Sequence, residues 1–157
     1  MGSTQQVLFQ VGSETYGIDI MHVKAIEKYL NVLPVPNAPA FIEGMINLRG
    51  EVIPVYSLRS KFGLPSIKPN EDTKLIIAKS NDTLVALTVD VVKEIIGISE
   101  ENLNETPKIV QGENTAYIGQ IAREKDQLVI LLNLDGILST KEKVKIDALL
   151  KEKVNEA

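Results

Sequence analysis

The sequence predicts an all-β protein in which two similar lobes of about five strands each fold as small closed barrels, pack together and are followed by a helix. Short segments rich in Val, Ile and Leu are separated by turns that contain Gly, Asn or Asp. The two halves of the chain repeat one plan. Residues 140–157 instead carry apolar side chains at helical spacing, which predicts an amphipathic helix packed on the barrels.

Alternating apolar residues and the turns between them predict four hairpins. Their arms are residues 7–11 and 15–20, 44–48 and 51–56, 74–80 and 84–89, and 117–122 and 127–132. The second hairpin turns at Arg49 and Gly50, because Gly readily adopts the positive φ that a tight turn requires. These eight arms supply most of the strands expected in the two lobes.

Two segments depart from the strand pattern. Ile20, Val23 and Ile26 recur at intervals of three, which predicts one or two helical turns before an extended piece near residues 29–33. Residues 63–72 contain Gly, Pro, Ser and Asn, and we interpret them as the junction between the lobes.

An internal repeat is the most informative feature of the sequence. Residues 23–26 align with residues 92–95 at an offset of 69, and Leu58 aligns with Leu134 at an offset of 76. We therefore expect one domain over residues 1–157, with a first lobe at about 15–65 and a second at about 73–135. The strand at 5–11 and the C-terminal tail are free to cross between the lobes. Chance alignment of two blocks rich in Val and Ile is the alternative.

Composition and motifs argue against several function classes. A net charge of −4 without a Lys and Arg cluster argues against nucleic acid as a partner. Without Cys, and with His22 alone, no thiolate or paired-His metal site is possible. No phosphate-binding glycine loop, signal peptide or membrane-spanning run occurs. We therefore expect a cytoplasmic protein that has protein partners, no catalytic residue, no cofactor, no metal and no direct membrane insertion.

The loop before the second hairpin is unusually apolar for an exposed segment. It carries Val35, Pro36, Ala38, Pro39 and Phe41, and Arg49 sits at the turn beyond it. One reading is that the apolar residues close the end of a barrel while Arg49 makes a local ion pair. The other is a docking patch anchored by Arg49, whose planar guanidinium forms paired hydrogen bonds and packs on apolar surfaces.

Residues 34–55, with the turn formed by residues 47–50, closely resemble the central motif of the CheW family. Residues 16–20, 58–64, 73–77 and 131–132 resemble further family segments, so the likeness spans about residues 5–140 in the right order. This resemblance implies two SH3-like barrels that bind the cytoplasmic tip of chemoreceptors and the regulatory domain of the histidine kinase CheA.

The resemblance also implies where the partners bind. It places the receptor tip in the groove between the lobes, in contact with Val23, Arg49, Gly44 and Ile95. The kinase-binding residues are unknown, beyond an expectation that apolar residues at the barrel ends form that interface. The chain departs from the family pattern at Ala25, where an acidic residue is common, and at Ser57, where Asp is common.

The function expected from the resemblance is a non-catalytic adaptor in bacterial chemotaxis that lets membrane receptors control the kinase. Two alternatives stay open. One is a CheW-like scaffold of another chemosensory pathway, and the other is a ligand-binding β-barrel that uses the groove between the lobes.

Overall fold

The computed structural model describes residues 3–29, 31–38, 41–80, 82–105, 107 and 116–137. Within these residues the chain forms eleven strands, two short α-helices and two 3₁₀ turns. The strands are β1 (Ser3–Val11), β2 (Glu14–Asp19), β3 (Val23–Lys28), β4 (Ile42–Leu48), β5 (Glu51–Ser57), β6 (Lys74–Ser80), β7 (Thr83–Val89), β8 (Val91–Ser99), β9 (Leu103–Glu105), β10 (Ile118–Glu124) and β11 (Gln127–Leu132). The helices are α1 (Leu58–Lys61) and α2 (Leu134–Ile137), and the 3₁₀ turns are Ile20–His22 and Glu100–Asn102.

The strands form two sheets. The first sheet has the order β8-β1-β2-β11-β10-β9, and the second has the order β3-β6-β7-β5-β4. All four predicted hairpins are present, as β1–β2, β4–β5, β6–β7 and β10–β11. The prediction of an all-β fold built from two small sheets is therefore confirmed.

The sheet topology confirms the internal repeat. Strands β1 to β5 correspond in order to β6, β7, β8, β10 and β11, and under this correspondence the second sheet reproduces the order of the first. Each sheet also contains one parallel contact at the equivalent place, β2 with β11 and β7 with β5. Leu58 and Leu134 are both buried and both begin a short helix, in agreement with their alignment.

The repeats are interleaved, so the sheets do not follow the expected lobe boundaries of about 15–65 and 73–135. The hairpin β6–β7 lies in the sheet formed by β3, β4 and β5, whereas β1–β2 joins β8, β10 and β11. Residues 63–72 were expected to separate the lobes. They instead connect α1, which follows β5, to β6, and β5 and β6 belong to the same sheet. The exchange occurs where the chain leaves β2 through the 3₁₀ turn Ile20–His22, which Asp19 caps by accepting a hydrogen bond from the Met21 N–H.

Three apolar cores hold the sheets together. A central core lies between the sheets and includes Phe9 and Ile18 from the first and Tyr56 and Leu87 from the second. A smaller core fills the inside of each sheet. The middle parts of strands β1 and β7 are consequently buried on both faces, which explains why apolar residues follow one another directly at residues 7–9 and 84–87.

Each sheet curls around its own core without closing into a barrel. In the described residues, hydrogen bonds do not join the edge strands β3 and β4, although Ala25 and Ile46 from these strands share one core. The expectation of closed barrels without exposed edges was therefore wrong. Beyond the end of β3, Leu33 forms a two-bond bridge with Met45 that covers part of the β4 edge.

The helical turns expected from the spacing of Ile20, Val23 and Ile26 reduce to one 3₁₀ turn, and the strand β3 follows directly. A β-bulge at Lys24 shifts the pairing between Val23 and Ala25. The bulge adds one residue, so two residues three apart face the same side of a strand and imitate helical spacing. The amphipathic helix expected at residues 140–157 lies outside the described residues.

Candidate protein-binding surfaces

The tip of the β4–β5 hairpin presents Arg49 to solvent. Arg49 and Gly50 have φ angles of 52° and 89°, and the Asn47 side chain accepts a hydrogen bond of 3.0 Å from the Gly50 N–H. Both central residues therefore occupy the left-handed region, where an Arg side chain is disfavoured. In the described part of the chain Arg49 forms no ion pair, so the local ion pair considered above is absent there.

Val23 and Ile95 lie on equivalent edge strands of different sheets. Val23 on β3 is paired with Ala78, and Ile95 on β8 is paired with Val7. Both partners belong to the central core, and residues paired across strands share one face of a sheet. Val23 is partly buried against that core, whereas Ile95 is 53% exposed. The two residues thus lie at the margins of the interface between the sheets.

The repeat identifies two further residues of this kind that the sequence analysis did not nominate. Ile26 is equivalent to Ile95, is 41% exposed and is paired with the core residue Ile76. Val92 is equivalent to Val23 and also packs against the central core. The offset of 69 residues was the signal that could have found them. We call Val23, Ile26, Val92 and Ile95 the edge-strand apolar set.

Gly44 differs from the other nominated residues because it is buried on β4. A side chain at this position would collide with the backbone carbonyl of Leu33, which bonds to the neighbouring Met45. Gly44 therefore permits the close approach of the loop to the edge of β4. It supports the Arg49 hairpin and presents no side chain to a partner.

The apolar loop before β4 acts in part as a plug. Phe41 packs against the central core, with its ring centroid 6.0 Å from that of Tyr56. The Lys61 amine lies 5.2 Å from the same Phe41 centroid, within the range of a cation–π contact. Pro39, which belongs to this loop, lies outside the described residues.

An ion pair ties the two sheets together beside helix α1. Arg59 donates to both carboxylate oxygens of Asp90, at 3.0 and 2.7 Å, and the Gly12 N–H donates to Asp90 at 2.8 Å. Burial alone would raise the pKa of Asp90, but the Arg59 and Gly12 bonds outweigh it and hold that pKa below its usual value. Arg59 also bonds the Pro65 carbonyl at 2.8 Å, so this cluster fixes the segment after α1.

Ser57 and His22 occupy two smaller sites. Ser57, which stands where Asp is common in the family, is buried and caps α1 by accepting a hydrogen bond from the Ser60 N–H. His22 is exposed in its 3₁₀ turn. In the described residues no group of His, Asp and Glu side chains could hold a metal ion, and none of the helices described is long and apolar enough to cross a membrane.

The geometry defines a class of protein: a duplicated two-sheet β fold that exposes apolar edge strands and a cationic hairpin tip. The model of the CheW-like domain family matches residues 5–142. The chemotaxis protein CheW of Treponema pallidum is 34% identical over 146 residues, which cover 90% of this chain and 86% of the relative. That of Helicobacter pylori is 34% identical over 134 residues, covering 85% and 81%.

A solved structure agrees with these sequence matches. The scaffolding protein CheW of Thermoanaerobacter tengcongensis superposes with a TM-score of 0.82 at 33% identity, covering 90% of this chain and 96% of that one. This chain belongs to the CheW-like domain family. The resemblance identified from the sequence is therefore confirmed.

Proposed function

We propose that the chain is a non-catalytic adaptor of bacterial chemotaxis that couples the cytoplasmic tip of transmembrane chemoreceptors to the regulatory domain of the histidine kinase CheA. Membership of the CheW-like domain family supports this role, as do relatives named chemotaxis protein CheW and a solved neighbour described as a scaffolding protein. The proposed location is the cytoplasm, with recruitment to receptor arrays at the membrane.

The observation that carries the receptor assignment is the exposed Arg49 in the left-handed region. Adopting this conformation costs free energy, and an outlier of this kind is frequent where a side chain must be held in a fixed direction. A guanidinium presented in this way suits carboxylate and amide oxygens on a helical receptor tip. Gly44 supports the same hairpin through its close packing on Leu33.

Val23 and Ile95 add an apolar component to the proposed receptor surface. They lie where the central core reaches the edge strands, so a helix docked there would extend a surface that is already apolar. Ile26 and Val92 belong to the proposal because they occupy the equivalent positions.

For the kinase we propose the ends of the two sheets. Val52 on β5 and Leu128 on β11 are exposed apolar residues next to the tips of equivalent hairpins, and they are related by the offset of 76. An adaptor that joins two partners in a ring needs two such ends, one on each sheet.

The receptor assignment is tested by Arg49→Glu, with Lys125→Glu as the matched control. Lys125 occupies the equivalent position in the β10–β11 turn, with a φ of 55°, so both variants make the same charge change in the same backbone conformation. We expect Arg49→Glu to weaken binding to a receptor-tip fragment at least about tenfold, which is about 1.4 kcal/mol. Binding to the kinase regulatory domain should fall much less than receptor binding, because Arg49 only borders the proposed kinase residue Val52, and the melting temperature should change little.

Isothermal titration with a receptor fragment and with the kinase domain measures both affinities. Equal receptor affinity for the wild type and Arg49→Glu would show that the hairpin tip does not face the receptor. A rival function, a β fold that binds a small ligand between the sheets, predicts a clear rise in melting temperature with a nucleotide or metabolite. The adaptor proposal predicts no such rise.

A further inference from the structure

Methionine supplies the only sulfur in the chain, which has three Met residues and no Cys. Hydrogen peroxide converts the Met thioether to a sulfoxide, which turns a flexible apolar side chain into a polar one, and exposed side chains are the most susceptible. Met21 is 79% exposed, whereas Met45 is 3% exposed. Of the methionines in the described residues, Met21 is therefore the one that a peroxide reaches.

The 3₁₀ turn Ile20–His22 directs the Met21 side chain into solvent. Ile20 and Val23 are three residues apart, so they lie on the same side of such a turn, and both pack against the central core. The Val23 N–H donates to the Ile20 carbonyl, and the Met21 N–H donates to the Asp19 carboxylate at 2.9 Å. The turn is therefore bonded at both of its ends, with Met21 on the side away from the core.

Met21 extends the apolar surface proposed for the receptor. It precedes Val23 of the edge-strand apolar set by two residues, and no other large apolar side chain in the described residues is as exposed. The fold does not require an apolar residue at this place in the repeat, because the equivalent residue at the offset of 69 is Asp90, which pairs with Arg59. An exposed apolar side chain that adjoins an apolar surface is typical of a binding contact.

We propose that Met21 is a reversible oxidation site through which hydrogen peroxide weakens binding of the receptor tip. The proposal rests on the proposed receptor surface and adds a means of regulating it. The Met21 Sδ attacks one peroxide oxygen, the S–O bond forms as the O–O bond breaks, and the departing hydroxide takes the proton of the transferred oxygen and leaves as water. Sulfur loses two electrons to the peroxide. Reduction by a dithiol returns the thioether and yields a disulfide and water.

The effect of the sulfoxide falls on binding and spares the fold. A docked helix would have to strip water from the new polar oxygen, and an apolar partner surface offers that oxygen no hydrogen bond in return. In the free chain the Met21 side chain is already largely in solvent, so a polar oxygen costs little there. Oxidation should therefore leave the melting temperature unchanged while it lowers receptor affinity.

The site is tested first without any functional assay. The full chain is treated with dilute hydrogen peroxide, and peptide mapping by mass spectrometry follows the added oxygen at each methionine over time. Met21 should react at least about tenfold faster than Met45, because only its sulfur is accessible. A saturating receptor fragment should slow the reaction of Met21, and equal rates for Met21 with and without the bound fragment would place this residue outside the interface and refute the proposal.

The affinity of the oxidised chain is the second test. The chain is oxidised alone, the peroxide is removed, and isothermal titration with the receptor fragment is repeated. We expect binding at least about fivefold weaker, the loss for a partly buried apolar contact. Treatment with methionine sulfoxide reductases for both sulfoxide epimers should restore the original affinity.

Two variants assign the effect to Met21. Met21→Leu has no sulfur at this position, so its receptor affinity should be the same before and after peroxide, whatever its starting value. Met45→Leu is the matched control and should lose affinity on oxidation as the wild type does. A loss in Met21→Leu as large as that in the wild type, or full affinity of the oxidised wild type, would refute this proposal alone. Failure of the unoxidised wild type to bind the receptor fragment would refute the adaptor role together with it.

Discussion

Removing the Arg59 guanidinium should destabilise the fold, because this side chain links α1 to Asp90 at the crossing between the sheets. The perturbation is Arg59→Met, which keeps the aliphatic stem. Both side chains of the pair are 18% exposed, with a shortest N–O distance of 2.7 Å. Exposed pairs contribute about 0–1 kcal/mol, and breaking a fully buried pair costs about 3–5 kcal/mol. We therefore expect a loss of about 2–3 kcal/mol in the free energy of unfolding.

Urea denaturation followed by circular dichroism measures this loss. For a chain of this size it corresponds to a fall of roughly 5–10 °C in melting temperature. A double-mutant cycle with Asp90→Asn isolates the pair, since an Asn side chain can still accept the Gly12 N–H, and a coupling energy of at least about 1 kcal/mol is expected.

The matched control is the surface pair Lys79–Asp82, whose atoms are 3.8 Å apart and whose side chains are 45% and 97% exposed. Lys79→Met should leave the unfolding midpoint unchanged within error. If Arg59→Met lowers the unfolding midpoint no more than Lys79→Met does, or if the cycle gives zero coupling, the Arg59–Asp90 pair does not hold the sheets together.

Two further predictions concern backbone packing and acid stability. Gly44→Ala should lower the melting temperature, because the added Cβ would meet the Leu33 carbonyl, at a cost of about 1–3 kcal/mol. The control Gly97→Ala should be close to neutral, because no atom lies within 4 Å of the added methyl group. The pKa of Asp90 is lower in the folded chain than in the unfolded chain, so the stabilisation from this carboxylate is complete above about pH 4 and is lost as the pH falls further. Urea midpoints between pH 2.5 and 6 should therefore fall less steeply for Asp90→Asn than for the wild type, and equal slopes would contradict the role of this carboxylate.

Local features of the fold were predictable from the sequence wherever short-range chemistry decides them. The turn between residues 11 and 15 and the turn at Arg49 and Gly50 were located correctly, because Gly12 and Gly50 readily adopt the positive φ angles found there. Of the one or two helical turns predicted after residue 20, only the 3₁₀ turn Ile20–His22 is present, for an equally local reason. The bulge at Lys24 places Val23 and Ile26 on one face of the strand although they are three residues apart. Without knowledge of the partner strand, apolar residues at this spacing predict a helix.

The candidate site residues also divide into those that local sequence predicted and those whose setting only the fold revealed. Arg49 was nominated as a contact residue because its turn motif is contiguous, and the structure adds its left-handed backbone conformation. Gly44 stays a predicted contact residue, and the structure adds that it packs against the Leu33 backbone. The polar cavity lined by Thr4, Gln6, Gly119 and Asn133 could not have been predicted from the sequence alone, because its walls come from residues more than 100 positions apart in the chain.

The sequence by itself determined the all-β class, the four hairpins, the duplication and the family, since these depend on residue periodicity, turn chemistry and contiguous motifs. Tertiary structure alone decided which strands pair, that each repeat gives its first hairpin to the sheet of the other, and that the sheets remain open at their edges. Pairing between distant strands depends on how apolar faces are buried together, and several pairings of the same Val- and Ile-rich segments satisfy the local pattern equally well. The central core selects one of them, because the interleaved arrangement buries both faces of the middle parts of β1 and β7 at once.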